Sequence, residues 1–92
     1  MRAARLRING RVQGVGYRDW TIRTARNLGL RGWVRNRIDD SVEALIAGED
    51  AAVAAMIEAC RRGPSHARVD EVDISAADAA DAPEGFTQLP TV

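Results

Sequence analysis

Hydrophobic spacing along this chain switches twice from a period of two to the helical period, and few folds accommodate that order. Ala4, Leu6 and Ile8 alternate with Arg5, Arg7 and Asn9, which reads as a half-buried strand. Gly10, Gly14 and Gly16 then mark a loop. Thr21, Ile22, Ala25 and Leu28 fall at helical spacing, with Gly29 where a helix C-cap belongs. Residues 30–36 alternate again as a second strand, Asp39-Asp40 suits a turn, and 41–48 is an apolar run short enough for a third strand. Val53, Met56, Ile57 and Cys60 form the apolar stripe of a second helix. Glu49 and Asp50 lie in its first turn, Arg61 and Arg62 in its last, and Gly63-Pro64 stops it. Residues 68–74 read as a fourth strand, where Val69 is out of phase with Val72 and Ile74, so a bulge or a late start is expected. Ser75 to Pro83 shows no clear element, and 86–89 suits a short edge strand ended by Pro90. The order β-α-β-β-α-β predicts an α+β, ferredoxin-like two-layer sandwich, with two helices on one face of a four- to five-stranded sheet. A chain of 92 residues supports one core, so a single domain spanning residues 1–92 is expected.

Such a fold hosts many activities, so function must be read from particular residues. The net charge is zero, but residues 1–37 hold ten arginines against one acid, Asp19, while residues 38–92 hold three arginines against twelve acids. That asymmetry suggests that the first part faces an anion. Base-stacking RNA modules carry an aromatic ladder that this chain lacks; with zero net charge, no nucleic-acid partner is expected. No run of 18 apolar residues exists and the N-terminus leads directly into charged alternation, which points to a cytoplasmic protein without a membrane partner. Cys60 is the only cysteine, so neither an intrachain disulfide nor a cysteine-built zinc site is available.

The segment Gly10-Arg11-Val12-Gln13-Gly14-Val15-Gly16-Tyr17-Arg18 joins the first strand to the first helix. Its glycines allow tight turning that points successive N–H groups into one concavity, beside the exposed N–H groups of the helix start. No serine, threonine or asparagine stands immediately before the helix, so a bound phosphate could cap it; the alternative is that Asp19 or Thr21 does so and the glycines only turn the chain. Gly-Lys-Ser/Thr does not follow, which excludes a Walker loop, and the glycine spacing is not the dinucleotide pattern. Arg18 can fork two donors onto phosphate oxygens.

These residues resemble a known family. Residues 10–18 are similar to the acylphosphatase signature G-x-V-Q-G-V-x-[FY]-R, and Gly-Trp-Val-Arg-Asn at 32–36 is similar to its second signature, G-[FYW]-[VAC]-x-N. Asp39, Val42-Glu43, Gly48 and Gly63-Pro64 extend the resemblance over about residues 4–74, with a weaker echo at Phe86 and Thr91-Val92. The resemblance implies the same sandwich fold. It implies that Arg18 binds substrate phosphate with the backbone N–H groups of the loop (Arg11, Val12, Gln13, Gly14, Val15, Gly16, Tyr17), and that Asn36 holds the attacking water. It also implies hydrolysis of small-molecule acyl phosphates to a carboxylate and inorganic phosphate, with no metal or other cofactor; a monomer is expected, although the sequence itself does not reveal oligomeric state. Two departures stand out: Arg37 replaces the threonine often found beside the asparagine, and Asp39-Asp40 replaces a turn Asp-Gly.

Two other readings stay open at this level. One is a polyanion-binding module, motivated by the basic first part. The other is an accessory domain, since acylphosphatase-like domains also occur inside larger carbamoyl-transferring enzymes. The remaining conspicuous side chains read as structural: Cys60 as packed core, Trp20 and Trp33 as packing or partial cover, His66 as a solvated residue. Asp19 reads as favouring the helix start, because a carboxylate would repel phosphate.

Overall fold

In the computed structural model, which describes residues 1–92, the elements run β1 (Arg2–Arg11), α1 (Tyr17–Asn27), β2 (Arg31–Asn36), β3 (Val42–Gly48), α2 (Asp50–Arg62), β4 (Arg68–Ala76), a 3-10 turn (Ala79–Asp81) and β5 (Phe86–Gln88). The sheet order is β4-β1-β3-β2-β5, antiparallel except where β5 runs parallel to β2. This is the expected ferredoxin-like α+β sandwich with a fifth strand at one edge. The first and fourth strands are longer than their alternation indicates, because pairing with a neighbour carries the ladder past the last apolar residue.

Register places the apolar residues in cross-strand rows beneath the helices. Ile74, Leu6, Ala44 and Val34 form one row; Val72, Ile8, Val42 and Asn36 form the next, which leads towards the β1–α1 loop. Tyr17, Thr21 and Ala25 from α1 and Val53, Met56, Ile57 and Cys60 from α2 are buried on the helical layer. The irregularity expected at Val69 is a bulge: Asn9 faces Glu71 while Gly10 faces Val69, leaving Asp70 as the extra residue. It returns Val69 to the face shared by Val72, and both pack against the core.

The opposite face of the sheet is not left bare. Trp33, Leu45 and Ala47 form a second, smaller core with Ala82, supported by Ala77 and Ala79. The connector without a clear sequence pattern is therefore a strap across that face. Arg31 pins it, donating to the carbonyls of Ala82 at 3.2 Å and Ala79 at 3.4 Å, and Asp78 caps the 3-10 turn by accepting from the Ala80 N–H at 2.9 Å.

The helix ends show how the loop before α1 is fastened. At the end of α1, Gly29 is left-handed (φ 71°) and the Leu30 N–H reaches back to the Ala25 carbonyl at 2.9 Å. At the end of α2, the carbonyl of Cys60 would ordinarily accept from residue 64, which is Pro64 and has no N–H. The Tyr17 hydroxyl donates there instead, at 2.8 Å. Burial, and then the Cys60 contact, raise the Tyr17 phenol well above its ordinary range, and burial pushes the Cys60 thiol up to about 11. Cys60 is thus a packed, unreactive thiol. Replacing Tyr17 with phenylalanine would keep the ring packing and orphan the carbonyl. Tyr17→Phe should lower unfolding free energy by about 1–2 kcal/mol, read from urea midpoints at unchanged m-value; wild-type stability would show that the carbonyl has another donor.

Candidate active site

The loop between β1 and α1 is built to leave its own amides unpaired. Gly14 (φ 73°) and Gly16 (φ 80°) are left-handed, a conformation that costs other residues about 1–2 kcal/mol. With Gly16 as N-cap, α1 has no side-chain cap. Thr21 donates backwards to the Tyr17 carbonyl at 2.8 Å, and Asp19 is exposed and accepts nothing, so neither side chain fills the capping role. The N–H groups of Gly14, Val15, Gly16, Tyr17, Arg18 and Asp19 consequently have no acceptor within the protein. Together with the positive end of the helix dipole they make a concavity receptive to an anion.

A cleft of about 240 Å³ opens on this loop, lined by Val12, Gly14, Gly16, Tyr17, Arg18, Asp19 and Asn36. Arg18 is half-buried and is absent from every ion pair in the molecule. Asn36 ends β2 on the core-facing row, a polar residue where the row is otherwise apolar. Its side-chain oxygen Oδ1 is buried and has no hydrogen-bond partner. Such atoms cost about 1–3 kcal/mol each, and most buried polar groups find a partner.

The remaining loop residues face elsewhere. Arg11 and Gln13 line a separate cleft with Gly10, Val12 and Asp40, and Val15 packs on the core. The Gln13 amide Nε2 donates to the carbonyls of Arg37 at 2.7 Å and Ser41 at 2.8 Å. Sequence reading placed Gln13 in the loop but gave no sign of this reach across the molecule. Trp20 packs on the Tyr17 ring, centroids 5.2 Å apart, and His66 is exposed.

Arg37, the departure beside Asn36, does not line the cleft. Its guanidinium meets the Glu43 carboxylate at 3.3 Å on the opposite face of the sheet. Arg35 at 2.8 Å and Arg5 at 3.6 Å complete the cluster around this carboxylate, whose side chain is only 8% exposed. Arg7 pairs with Asp39 at 3.7 Å, and the guanidiniums of Arg5 and Arg35 lie over Trp33. The charge asymmetry therefore does not aim the basic first part at an anion. Four of its ten arginines pair with acids of the second part on the far face of the sheet, and Arg18 is the one arginine lining the cleft. Glu43 was not singled out from sequence; the available signal was a lone carboxylate in an apolar strand, paired in register with Arg35 and Arg7.

These features define an α+β sandwich with an anion-receptive cleft at the start of its first helix, and comparison with known proteins specifies it further. The acylphosphatase family model matches residues 4–88. An acylphosphatase of Rhodospirillum rubrum is 54% identical over 92 residues, covering all of both chains. The crystal structure of acylphosphatase from Bacillus subtilis superposes with a TM-score of 0.92 at 31% identity, covering 97% of this chain and 99% of that one. Full-length HypF in its phosphate- and nucleotide-bound form contains a similar region, at TM-score 0.88 and 25% identity, covering 98% of this chain and 12% of that one. The chain belongs to the acylphosphatase family. It is a hydrolase acting on acyl phosphates. No helix is long and apolar enough to cross a membrane.

The arginine cluster also sets an acid limit on stability. Burial alone would raise the Glu43 pKa, but the Arg35 hydrogen bond and the charges of Arg35, Arg37 and Arg5 outweigh it and hold the carboxyl below its usual 4.5. A depressed native pKa contributes stability that is present above the unfolded value and lost as pH falls through the native one. Glu43→Gln should cost about 1–2 kcal/mol at pH 7, discounted because the arginines are partly exposed. The deficit relative to wild type should shrink in melts below about pH 4; a deficit independent of pH would show that packing, not charge, is lost.

Proposed function

We propose that water attacks the phosphorus of a small-molecule acyl phosphate in this cleft, without a covalent intermediate or a metal ion. The loop amides from Gly14 to Asp19 and the Arg18 guanidinium take the phosphate oxygens, and Asn36 holds the water. The observation that carries this reading is Asn36 Oδ1, a buried acceptor without a partner lining the same cleft as the unpaired Arg18. A water donating to Oδ1 would satisfy it and lie beside a phosphate seated on the amides.

The chemistry asks little more of the protein. Water oxygen forms a bond to phosphorus, the bond from phosphorus to the acyl oxygen breaks, and the carboxylate leaves with that electron pair. A carboxylate leaving group, pKa about 4, departs without a general acid. Asn36 is no base, so the water proton passes to a phosphate oxygen. Charge spread over the phosphoryl oxygens is stabilised by preorganised donors in place of a metal ion. Asp19 is the exposed acid of the same cleft and has no part in proton transfer here.

We further propose one domain over residues 1–92, working as a cytoplasmic monomer without nucleic-acid or membrane partners. Support for the monomer comes from the free edge of β4, where Asp70, Glu71, Asp73 and the bulge oppose strand addition by a second copy. The buried, unpaired thiol of Cys60 suits a reducing compartment.

Benzoyl phosphate hydrolysis tests the reading. Wild-type protein should turn it over equally with and without a chelator, and should hydrolyse alkyl phosphates far more slowly. Arg18→Ala should lose most phosphate affinity and activity, and Arg18→Lys should recover little, because an ammonium lacks the fork. Asn36→Ala should lower kcat by about 100-fold with a smaller change in KM. Near-wild-type kcat in a folded Asn36→Ala protein would remove the water-positioning role.

A further inference from the structure

The two halves of the cleft come from distant parts of the chain, and little joins them. Among residues Val12 to Gly16, the only hydrogen bonds to the rest of the protein are Trp20 N–H to the Gly16 carbonyl, within the helix start, and the two donated by Gln13. Both Gln13 bonds cross to the β2–β3 turn, 24 and 28 residues along the chain. Their acceptors are the carbonyls that close that turn. Arg37 N–H donates to the Ser41 carbonyl at 2.8 Å and Asp40 N–H to the Arg37 carbonyl at 3.2 Å, so Gln13 takes the second lone pair of each oxygen. Both hydrogens of Nε2 are thereby used. Arg37 directly follows Asn36.

We infer that Gln13 is a positioning residue: its amide locks the phosphate loop to the turn that carries Asn36, setting the gap between bound phosphate and attacking water. The inference rests on the function proposed above and adds a residue to it. An error of about 1 Å in such a gap can cost on the order of 100-fold in rate. The lock addresses backbone carbonyls alone. The side chain at position 37 is therefore free to turn towards Glu43, which accounts for an arginine beside Asn36 without disturbance of the cleft. Phosphate binding does not need the lock, since the unpaired amides and Arg18 belong to the loop and helix themselves.

A double-mutant cycle on the whole protein tests this, with benzoyl phosphate as substrate and inorganic phosphate as competitive inhibitor. Gln13→Ala should lower kcat about 10-fold or more while the phosphate inhibition constant stays within about twofold. In the Asn36→Ala background the same change should lower kcat by less than about twofold, because there is no longer a water to misplace. Equal losses in both backgrounds, or a rise in the phosphate constant matching the loss in kcat, would overturn the inference while leaving the proposed function intact. A wild-type rate in Asn36→Ala would overturn both. Should Gln13→Ala fail to fold, Gln13→Glu keeps the shape: its carboxylate donates nothing and its protonated form donates once. Its kcat relative to wild type should then climb as pH falls, and a ratio unchanged with pH would refute the lock.

Discussion

A loop that leaves its amides free cannot be held by the backbone ladder that holds everything around it. From Gly14 to Asp19 the chain spends no N–H on itself, so its position depends on side chains anchored elsewhere. Val12 and Tyr17 bury their side chains at either end of the loop, and the Tyr17 hydroxyl bonds the carbonyl that Pro64 leaves without a donor. Gln13 reaches the β2–β3 turn. Core packing and a proline-interrupted helix end thus hold the shape of the loop in place of the withheld hydrogen bonds, while the Gln13 amide sets its place against the turn. The receptive concavity exists because stability is supplied from outside it.

The same division of labour explains the distribution of charge. Several arginines outside the cleft are occupied: Arg5, Arg35 and Arg37 around Glu43, Arg7 with Asp39, Arg31 on the strap, and Arg26 on the Phe86 carbonyl at 2.9 Å. Arg18 lacks a carboxylate partner, although Asp19 is its neighbour in sequence. An arginine already paired would have to break that contact to meet phosphate, whereas a free one is available at no such cost.

What could be read from sequence follows the range of the forces involved. Periodicity reports which side of an element is buried, so all six main elements, the bulge at Val69 and the packed Cys60 were visible in the pattern. Arg18 and Asn36 stood out through paired motifs, and the packing of the first helix on the sheet brings them to one cleft. Long-range polar contacts leave no such trace. Gln13 looks like any loop glutamine, and Glu43 looks like an interruption in an apolar run until Arg35 and Arg7 are seen opposite it. The strap over Trp33 and Leu45 is built mainly of alanine, whose small side chain gives no period to detect. Counting charges along the chain misled for a related reason: it cannot tell an arginine facing solvent from one committed to a distant acid.

The uncapped start of α1 carries a thermodynamic consequence for the whole fold. On the proposed reading, any phosphate seated there also completes a helix terminus that the native state alone leaves incomplete. On that reading inorganic phosphate would bind the folded protein and not the unfolded chain, so mass action would make its concentration a determinant of folding equilibrium. The product of the reaction would thereby both compete with the substrate and protect the enzyme that made it.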